Sequence, residues 1–146
     1  MKYLDTNVFL RYIASPKTVQ DQNFSQLATE LFAKAERDEV QFTTSDAVIA
    51  EVIYVLMSPV AYHFSRADVF DRLIQLLQLP GCRMEHRDDV MRALSRWNGN
   101  PKLSFVDALA IATSKALNAD LLTFDTALAD DAGVSKWDKQ PEPLNP

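Results

Sequence analysis

Four acidic residues stand inside or directly after apolar stretches of this chain, where a carboxylate is unusual. They are Asp5, Glu51, Asp107 and Asp125, and the sequence offers them no obvious lysine or arginine partner. Proteins avoid burying an unpaired carboxylate unless the charge is paired or binds a metal ion. Carboxylate oxygens are the ligands that divalent cations such as Mg²⁺ prefer. The four acids therefore predict a divalent-cation site.

A cluster of carboxylates has a definite chemistry. Two carboxylates about 4 Å apart repel each other by roughly 4 kcal/mol at an effective dielectric constant of about 20. Converging acids therefore attract Mg²⁺ or Mn²⁺, and a bound ion activates water and stabilises the charge of an in-line displacement at phosphorus. The residue types thus favour a metal-dependent phosphodiesterase.

Each acid also has a purely structural interpretation. Asp5 could cap the N-terminus of a helix, and Ser104-Phe-Val-Asp107 is nearly a capping box. Asp125 could begin a turn. Glu51 has apolar neighbours on both sides and apolar residues four positions away in both directions, so we expect its side chain to reach bulk water only with difficulty.

Short strands alternating with longer helices are expected to position these acids. Parallel strands joined by helices form a sheet covered on both faces, and the site of such a fold lies beyond the carboxyl ends of the strands. Asp5 and Asp125 each follow a predicted strand, and we expect Glu51 and Asp107 on helices over the same edge. The predicted strands are 2–4, 40–43, 82–84 and 120–123, and the predicted helices are 8–13, 24–36, 46–57, 66–79, 88–97, 104–117 and 127–132.

Serines mark the start of three of these helices. Ser45 and Ser65 are expected to be N-caps, and Ser104 is expected to open its helix. The segment 47–57 is rich in β-branched residues and also permits a strand, although its length favours a helix.

The composition is that of one globular domain. The chain has 146 residues, of which 47% are hydrophobic and 24% charged, which suits a soluble domain with a real core. We expect a single domain over 1–146, with an irregular tail at about 139–146. Only three glycines occur, and the glycine-rich motifs that bind dinucleotides or phosphates are absent from the sequence.

The composition also bears on the protein's surroundings. Cys82 is the single cysteine, so no intrachain disulfide can form and a reducing cytoplasm fits. The start of the chain lacks the apolar core of a signal peptide, and the longest apolar run, 47–57, is too short to span a bilayer. The net charge of −5 argues mildly against a nonspecific nucleic-acid binder and permits a basic partner.

Other candidate residues show weaker patterns. The two histidines lack the spacing of zinc ligands. The basic residues within 83–102 could contact phosphate groups, although such a run is more often a solvated helix surface. Trp97 and Trp137 are expected to pack within the protein rather than to stack on bases.

The acidic residues and their neighbours, taken in order, resemble a known family. Asp5-Thr-Asn7, Glu51 on an apolar helix, Ser104-Phe-Val-Asp107-Ala-Leu and Thr123-Phe-Asp125 are similar to the motifs of PIN-domain ribonucleases. Within that family the chain most resembles the toxins of bacterial and archaeal VapBC toxin–antitoxin pairs. The likeness covers nearly the whole chain in order and spacing.

This resemblance implies a fold, an activity and partners. The fold would be a three-layer α/β/α sandwich with a central parallel sheet. The activity would be that of a Mg²⁺- or Mn²⁺-dependent endoribonuclease that leaves a 5′-phosphate, and the protein would form a homodimer inhibited by a cognate antitoxin protein. Carried over by position, the catalytic and metal-binding residues are Asp5, Glu51, Asp107 and Asp125, and the supporting polar residues are Asn7, Ser104 and Thr123.

Two other function classes remain open at the level of sequence. A phosphatase with an aspartyl nucleophile requires Asp-x-Asp after the first strand, but Asn7 stands where the second aspartate is needed. A non-catalytic acidic scaffold that binds a basic partner peptide is the other alternative, and the intact set of four acids argues against it.

Overall fold

Two short parallel strands and seven helices make up residues 1–137, the part of the chain that this computed structural model describes. In chain order they are β1 (Lys2–Tyr3), α1 (Thr6–Ile13), α2 (Val19–Glu36), β2 (Phe42–Thr43), α3 (Asp46–Met57), α4 (Arg66–Leu77), α5 (Arg87–Gly99), α6 (Phe105–Ala116) and α7 (Thr126–Ala132). The helices follow the predicted order. In this range no helix has the length and apolar character needed to cross a membrane. The predicted irregular tail at 139–146 lies outside the described residues.

The strands form a small parallel sheet. Its register pairs Lys2 with Phe42 and Tyr3 with Thr43. On its other side Phe42 makes a parallel bridge with Cys82, whose two hydrogen bonds measure 2.9 and 2.7 Å. The strand predicted around Cys82 is therefore reduced to a single bridge.

The fourth predicted strand, 120–123, is wrong. Within the described residues this stretch pairs with neither strand of the sheet. Asn118 leaves the end of α6 with a φ of 50°, and Leu122 is exposed to solvent. The carbonyl of Thr123 instead accepts a hydrogen bond from the backbone N–H of Trp137 (2.8 Å). The apolar run predicted a buried strand. Because Leu122 faces solvent, however, this segment would bury little apolar surface by pairing with the sheet.

Side-chain caps fix where the helices begin. Ser45, Ser65 and Ser104 cap α3, α4 and α6 as predicted, each accepting a hydrogen bond from the backbone N–H three residues later. Helix α1 begins two residues earlier than predicted because Asp5 is its cap. Helix α2 begins five residues earlier because Thr18 is its cap, ahead of the apolar stripe that the periodicity detected. The segment 47–57 is helical.

The core joins the sheet to the helices through large apolar side chains. Phe32 of α2 packs against Phe9 of α1 and Phe42 of β2, with ring centroids 5.8 and 5.6 Å apart. Trp97 of α5 is 2% exposed, which confirms that it packs in the interior. Fully burying a large apolar side chain contributes about 1.5–3 kcal/mol, so these contacts fix α1, α2 and β2 relative to one another.

A glycine lets the chain after α4 approach β2 closely. A Cβ at Gly81 would stand 2.2 Å from the carbonyl oxygen of Val40 and 2.9 Å from the Cα of Ala35, so any other residue would force the backbone apart. The next residue, Cys82, is buried, and burial raises the pKa of its thiol.

Candidate functional site

The carboxyl ends of β1 and β2 lie side by side and begin the candidate site. The Thr44 hydroxyl, which is buried, donates a hydrogen bond to the carbonyl of Leu4 (2.8 Å). The Tyr3 hydroxyl donates to Ser45 Oγ (3.0 Å). These two bonds tie the residues that follow β1 to those that follow β2. The starts of α1 and α3 are thereby held at one edge of the sheet.

Asp5 occupies this edge as the N-cap of α1. Its Oδ1 accepts a hydrogen bond from the backbone N–H of Asn7 (3.2 Å), and the side chains of both residues are exposed. A carboxylate at the N-terminus of a helix is favoured by the helix dipole. The structural and functional interpretations of Asp5 therefore coexist, since capping occupies one oxygen only.

A hydrogen bond between side chains joins α1 to α3. The Thr6 hydroxyl donates to Oε2 of Glu51 over 2.7 Å. Thr6 is buried, whereas Glu51 extends to the surface. Thr6 was not among the predicted site residues. The available signal was a hydroxyl directly after Asp5 at the start of a helix, but nothing local shows that its partner lies 45 residues away.

The expectation that Glu51 is shielded from water is wrong. Glu51 is exposed, and so are Ala47 and Tyr54 on the same face of α3, with Tyr54 77% exposed. The opposite face is the buried one, with Ile49, Val52, Ile53 and Leu56 in the core. An apolar sequence on every side of a residue did not imply burial on every side, because α3 turns one face to solvent.

Asp107 is held by a capping box at the start of α6. Ser104 Oγ accepts from the N–H of Asp107, and Asp107 Oδ2 accepts from the N–H of Ser104, both over 3.1 Å. The pattern was nearly a capping box in sequence, and the structure completes it. Asp107 is half-buried, and the reciprocal bonds restrict its side chain to one orientation.

Asp125 caps the last helix and is exposed. Its Oδ1 accepts from the N–H of Leu128 (2.8 Å), while its own N–H donates to Thr123 Oγ1 (3.0 Å). Thr123 therefore orients the backbone of Asp125, whereas the carboxylate itself is held by α7. Thr123 was predicted to be a supporting polar residue, and its observed contact is to the main-chain N–H of Asp125.

Arg66 holds the loop that leads to Asp107. From α4 its guanidinium donates to the carbonyls of Trp97 (2.5 Å), Leu103 (2.9 Å) and Asn100 (3.3 Å) and lies 4.7 Å from the Trp97 ring centroid. Burial lowers the pKa of Arg66. Because Leu103 directly precedes the cap of α6, this contact fixes where that helix starts. Arg66 was not predicted as a site residue, because its acceptors are main-chain carbonyls more than 30 residues away, which no residue type in the sequence marks.

A second arginine ties α7 to α5. Arg96 donates to Asp131 Oδ1 (2.8 Å), and the side chain of Asn100 donates to Asp131 Oδ2 (3.0 Å). The Asn100 hydrogen bond and the Arg96 charge together hold the pKa of Asp131 below its ordinary value. The helix that Asp125 caps is therefore anchored at its far end.

The four acids lie on packed helices but do not form a closed metal-ligand group. Helix α1 packs on α3, α3 on α6 and α6 on α7. Across residues 1–137, no group of three or more Asp, Glu, His or Cys side chains is arranged to hold a metal ion. The structure joins Asp5 and Glu51 through Thr6, and it gives no equivalent bond to Asp107 or Asp125.

The donor chemistry nevertheless fits a divalent cation. Each acid uses one carboxylate oxygen in a hydrogen bond, and within the described chain its other oxygen has neither a hydrogen-bond nor an ion-pair partner. Ligating carboxylates are typically oriented in this way by neighbouring donors. Oxygens of this type suit Mg²⁺ or Mn²⁺.

The basic run is a solvated helix surface rather than a phosphate-binding face. Its arginines pair with carboxylates as Arg83–Asp38, Arg87–Asp88, Arg92–Asp89 and Arg96–Asp131. Guanidinium groups that already pair with acids have less charge to offer a phosphate. The structure thus favours the more ordinary of the two interpretations of 83–102.

One known protein family matches the part of the chain that contains the predicted site residues. The family model described as "PIN domain" matches residues 2–133, which is nearly the whole chain and includes all seven predicted site residues. No curated protein gives a significant match to the chain.

Proposed function

The chain belongs to the PIN domain family, and on that premise we propose that it is a metal-dependent endoribonuclease. PIN domains are generally metal-dependent nucleases, and the family points to a hydrolase with a nucleic-acid substrate. The observation that carries the proposal is the shared state of Asp5, Glu51, Asp107 and Asp125. Each has one oxygen oriented by a hydrogen bond and one oxygen free of protein partners within residues 1–137.

In this proposal the four acids hold Mg²⁺ or Mn²⁺. The bound ion supplies an activated water and stabilises the charge that develops at phosphorus. Thr6 keeps Glu51 in place through its hydroxyl, and the capping box keeps one oxygen of Asp107 turned toward its own helix. Asn7 contributes an exposed amide beside Asp5, suited to contact with the substrate backbone.

The finer assignments belong to the same proposal and rest on the resemblance to VapC-type toxins. The substrate is RNA, hydrolysis leaves a 5′-phosphate, and the protein acts in the cytoplasm as a homodimer that a cognate antitoxin inhibits. The helices on either side of the small sheet are proposed to form the outer layers of an α/β/α sandwich. The chain's negative charge is compatible with an antitoxin segment that carries basic residues.

Cleavage of total cellular RNA tests the proposal. The purified full-length protein is incubated with RNA in Mg²⁺, in Mn²⁺ and in EDTA, and products are resolved on a sequencing gel and probed for a 5′-phosphate. We expect discrete fragments that disappear in EDTA and return when Mn²⁺ is added in excess. Fragments that persist in EDTA contradict a metal-dependent mechanism.

The acidic scaffold remains the second candidate, because no three-ligand group is formed within residues 1–137. A scaffold would bind a basic peptide without needing a divalent cation. Peptide binding that is unchanged by EDTA, in a protein that neither binds Mn²⁺ nor cleaves RNA, would favour this alternative.

A further inference from the structure

Two aromatic rings lie stacked on the surface directly beside Asp125. Phe124 and Trp137 have ring centroids 5.5 Å apart and an interplanar angle of 23°. Phe124 is 74% exposed and Trp137 is 50% exposed. Trp137, which was expected to pack within the protein rather than to stack on bases, packs against Phe124 but stays half exposed, whereas Trp97 is buried as expected.

Main-chain hydrogen bonds hold this aromatic pair in register with the candidate site. The N–H of Trp137 donates to the carbonyl of Thr123 (2.8 Å), and Thr123 Oγ1 accepts from the N–H of Asp125 (3.0 Å). Phe124 lies between Thr123 and Asp125 in the chain. The N–H groups of Trp137 and Asp125 thus both donate to Thr123, so the segment that carries Trp137 is tied to the residues that precede α7.

Exposed aromatic rings beside a phosphodiester-cleaving site have a well-defined use. An unpaired nucleobase gains roughly 1–3 kcal/mol by stacking on an aromatic side chain, and this gain is tolerant of sequence because every base has a π-face. A base in a duplex is already stacked and cannot use such a surface. Lys136, next to Trp137 and also exposed, adds a positive charge to this part of the surface that can attract a phosphate group.

We propose that Phe124 and Trp137 form a stacking platform for an unpaired base of the substrate, next to the phosphate that is cut. Because only an unpaired base can stack on this platform, the proposed substrate is single-stranded. It rests on the proposed nuclease function and adds a binding residue pair that the four acids do not provide. Phe124 contributes the more exposed ring, and Trp137 stacks against it.

Binding of labelled RNA tests the platform. The full-length protein is titrated in Mg²⁺ against a fluorescein-labelled single-stranded oligoribonucleotide with phosphorothioate linkages, which resist hydrolysis, and against the same strand in a duplex. Anisotropy reports the Kd. We expect the single strand to bind more tightly than the duplex, and Phe124→Leu and Trp137→Leu each to weaken single-strand binding roughly 5- to 100-fold.

Two further variants control the experiment. Trp137→Phe keeps an aromatic ring and is expected to retain most of the affinity, and Leu117→Ala removes a different exposed apolar side chain and is expected to leave the Kd unchanged. Circular dichroism spectra verify that each variant is folded. If both leucine variants bind like the wild type, or if the duplex binds as tightly as the single strand, the platform is overturned.

A parallel cleavage assay separates this proposal from the one it rests on. A wild-type protein that cleaves RNA in Mg²⁺, while both leucine variants keep its Kd and KM, overturns the platform and leaves the nuclease assignment standing. A wild-type protein that neither binds nor cleaves RNA overturns both. Weaker binding with a raised KM and a nearly unchanged kcat supports the platform, because stacking acts on substrate binding.

Discussion

The two halves of the candidate site are held together by different kinds of contact. Asp5 and Glu51 belong to separate helices, and a single side-chain hydrogen bond from Thr6 connects them at the sheet edge. Asp107 and Asp125 are each fixed inside their own helix by capping bonds. Local capping bonds orient Asp5, Asp107 and Asp125, whereas the side chain of Glu51 is held by a contact between two helices.

The second half has additional support from outside its own helices. Arg66 holds the loop before α6 through three carbonyls, and Arg96 anchors α7 through Asp131. In the other half, Arg11 ties α1, the helix that Asp5 caps, to Asp21 of α2 (2.6 Å), but among residues 1–137 no arginine pairs with a residue of α3, which carries Glu51. The C-terminal half is therefore expected to be the more rigid one, and the contact to Glu51 is expected to be easier to disturb without unfolding the protein.

The largest effect is expected at Asp107. Asp107→Asn keeps an oxygen that can accept the Ser104 N–H, so the cap survives, but it removes the charge that a cation requires. A bound metal contributes several kcal/mol of transition-state stabilisation, so we expect RNA cleavage to fall by roughly 10³-fold. Initial rates in Mg²⁺ measure the effect.

The matched control for Asp107 is Asp71→Asn, which removes an exposed acid of α4 that makes no hydrogen bond to the capping box. We expect this variant to cleave at the wild-type rate and to unfold at the wild-type urea concentration. Full activity in the Asp107 variant would mean that the C-terminal half of the site takes no part in catalysis.

The next largest effect tests the rigidity of the C-terminal half. Arg66→Met removes the hydrogen bonds to the main-chain carbonyls and the contact with the Trp97 ring, so we expect the free energy of unfolding to fall by about 2–4 kcal/mol. Urea denaturation measures it. Arg72→Met, an exposed arginine on the same helix, is the control, and its change is expected within about 0.5 kcal/mol. Equal stability of the two variants would remove the contrast between the halves.

A smaller effect is expected in the N-terminal half, and it should fall on activity rather than stability. Thr6→Val keeps the branched shape but cannot donate to Glu51, and loss of a bond that orients a ligand typically lowers activity by about 10- to 100-fold. The free energy of unfolding should fall by only about 1 kcal/mol. Thr6→Ser retains the hydroxyl and should retain most of the activity. A loss of activity in Thr6→Ser equal to that in Thr6→Val would show that the hydroxyl is not the cause.

The smallest effect is a pH dependence at Asp131. Its pKa is lowered in the folded protein by the Asn100 hydrogen bond and by Arg96. A lowered pKa stabilises the fold above the ordinary value of 3.8, and that contribution disappears as the pH falls through the folded-state pKa. The stability difference between wild type and Asp131→Asn should therefore shrink as the pH falls below about 5, and most of the loss should lie below 3.8.

Urea midpoints at several pH values measure the Asp131 effect. Asp130→Asn, which replaces a neighbouring exposed acid, serves as the control for the removal of a carboxylate from α7. A gap for Asp131→Asn that widens on acidification would contradict the anchoring of α7.

The comparison also explains what the sequence could predict. Ser104 and Asp107 lie three residues apart in a recognisable pattern, so their capping box could nearly be predicted from the sequence. The caps at Ser45 and Ser65 were predicted in the same way. Such features are local, and their hydrogen bonds connect residues close together in the chain. The order of the helices and the positions of the first two strands followed from the same kind of pattern.

The remaining features depend on contacts between distant residues. The partner of Thr6 lies 45 positions away, and the acceptors of Arg66 are main-chain carbonyls that any residue type would provide. The exposure of Glu51 depended on which face of an apolar helix meets the core, which periodicity could not decide because nearly every position was apolar. The strand expected at 120–123 failed for a related reason, since its apolar residues do not face a neighbouring strand.

Mn²⁺ binding is the most direct test of the central claim that the four acids form one cation site. The electron paramagnetic resonance signal of free Mn²⁺ is followed as full-length protein is added, for the wild type, Asp5→Asn, Asp107→Asn and the control Asp71→Asn. The account predicts that the wild type and Asp71→Asn deplete the signal equally and that the two site variants, one from each half, bind about 10-fold more weakly or worse. Undiminished binding in both site variants, or no binding by the wild type, would contradict it.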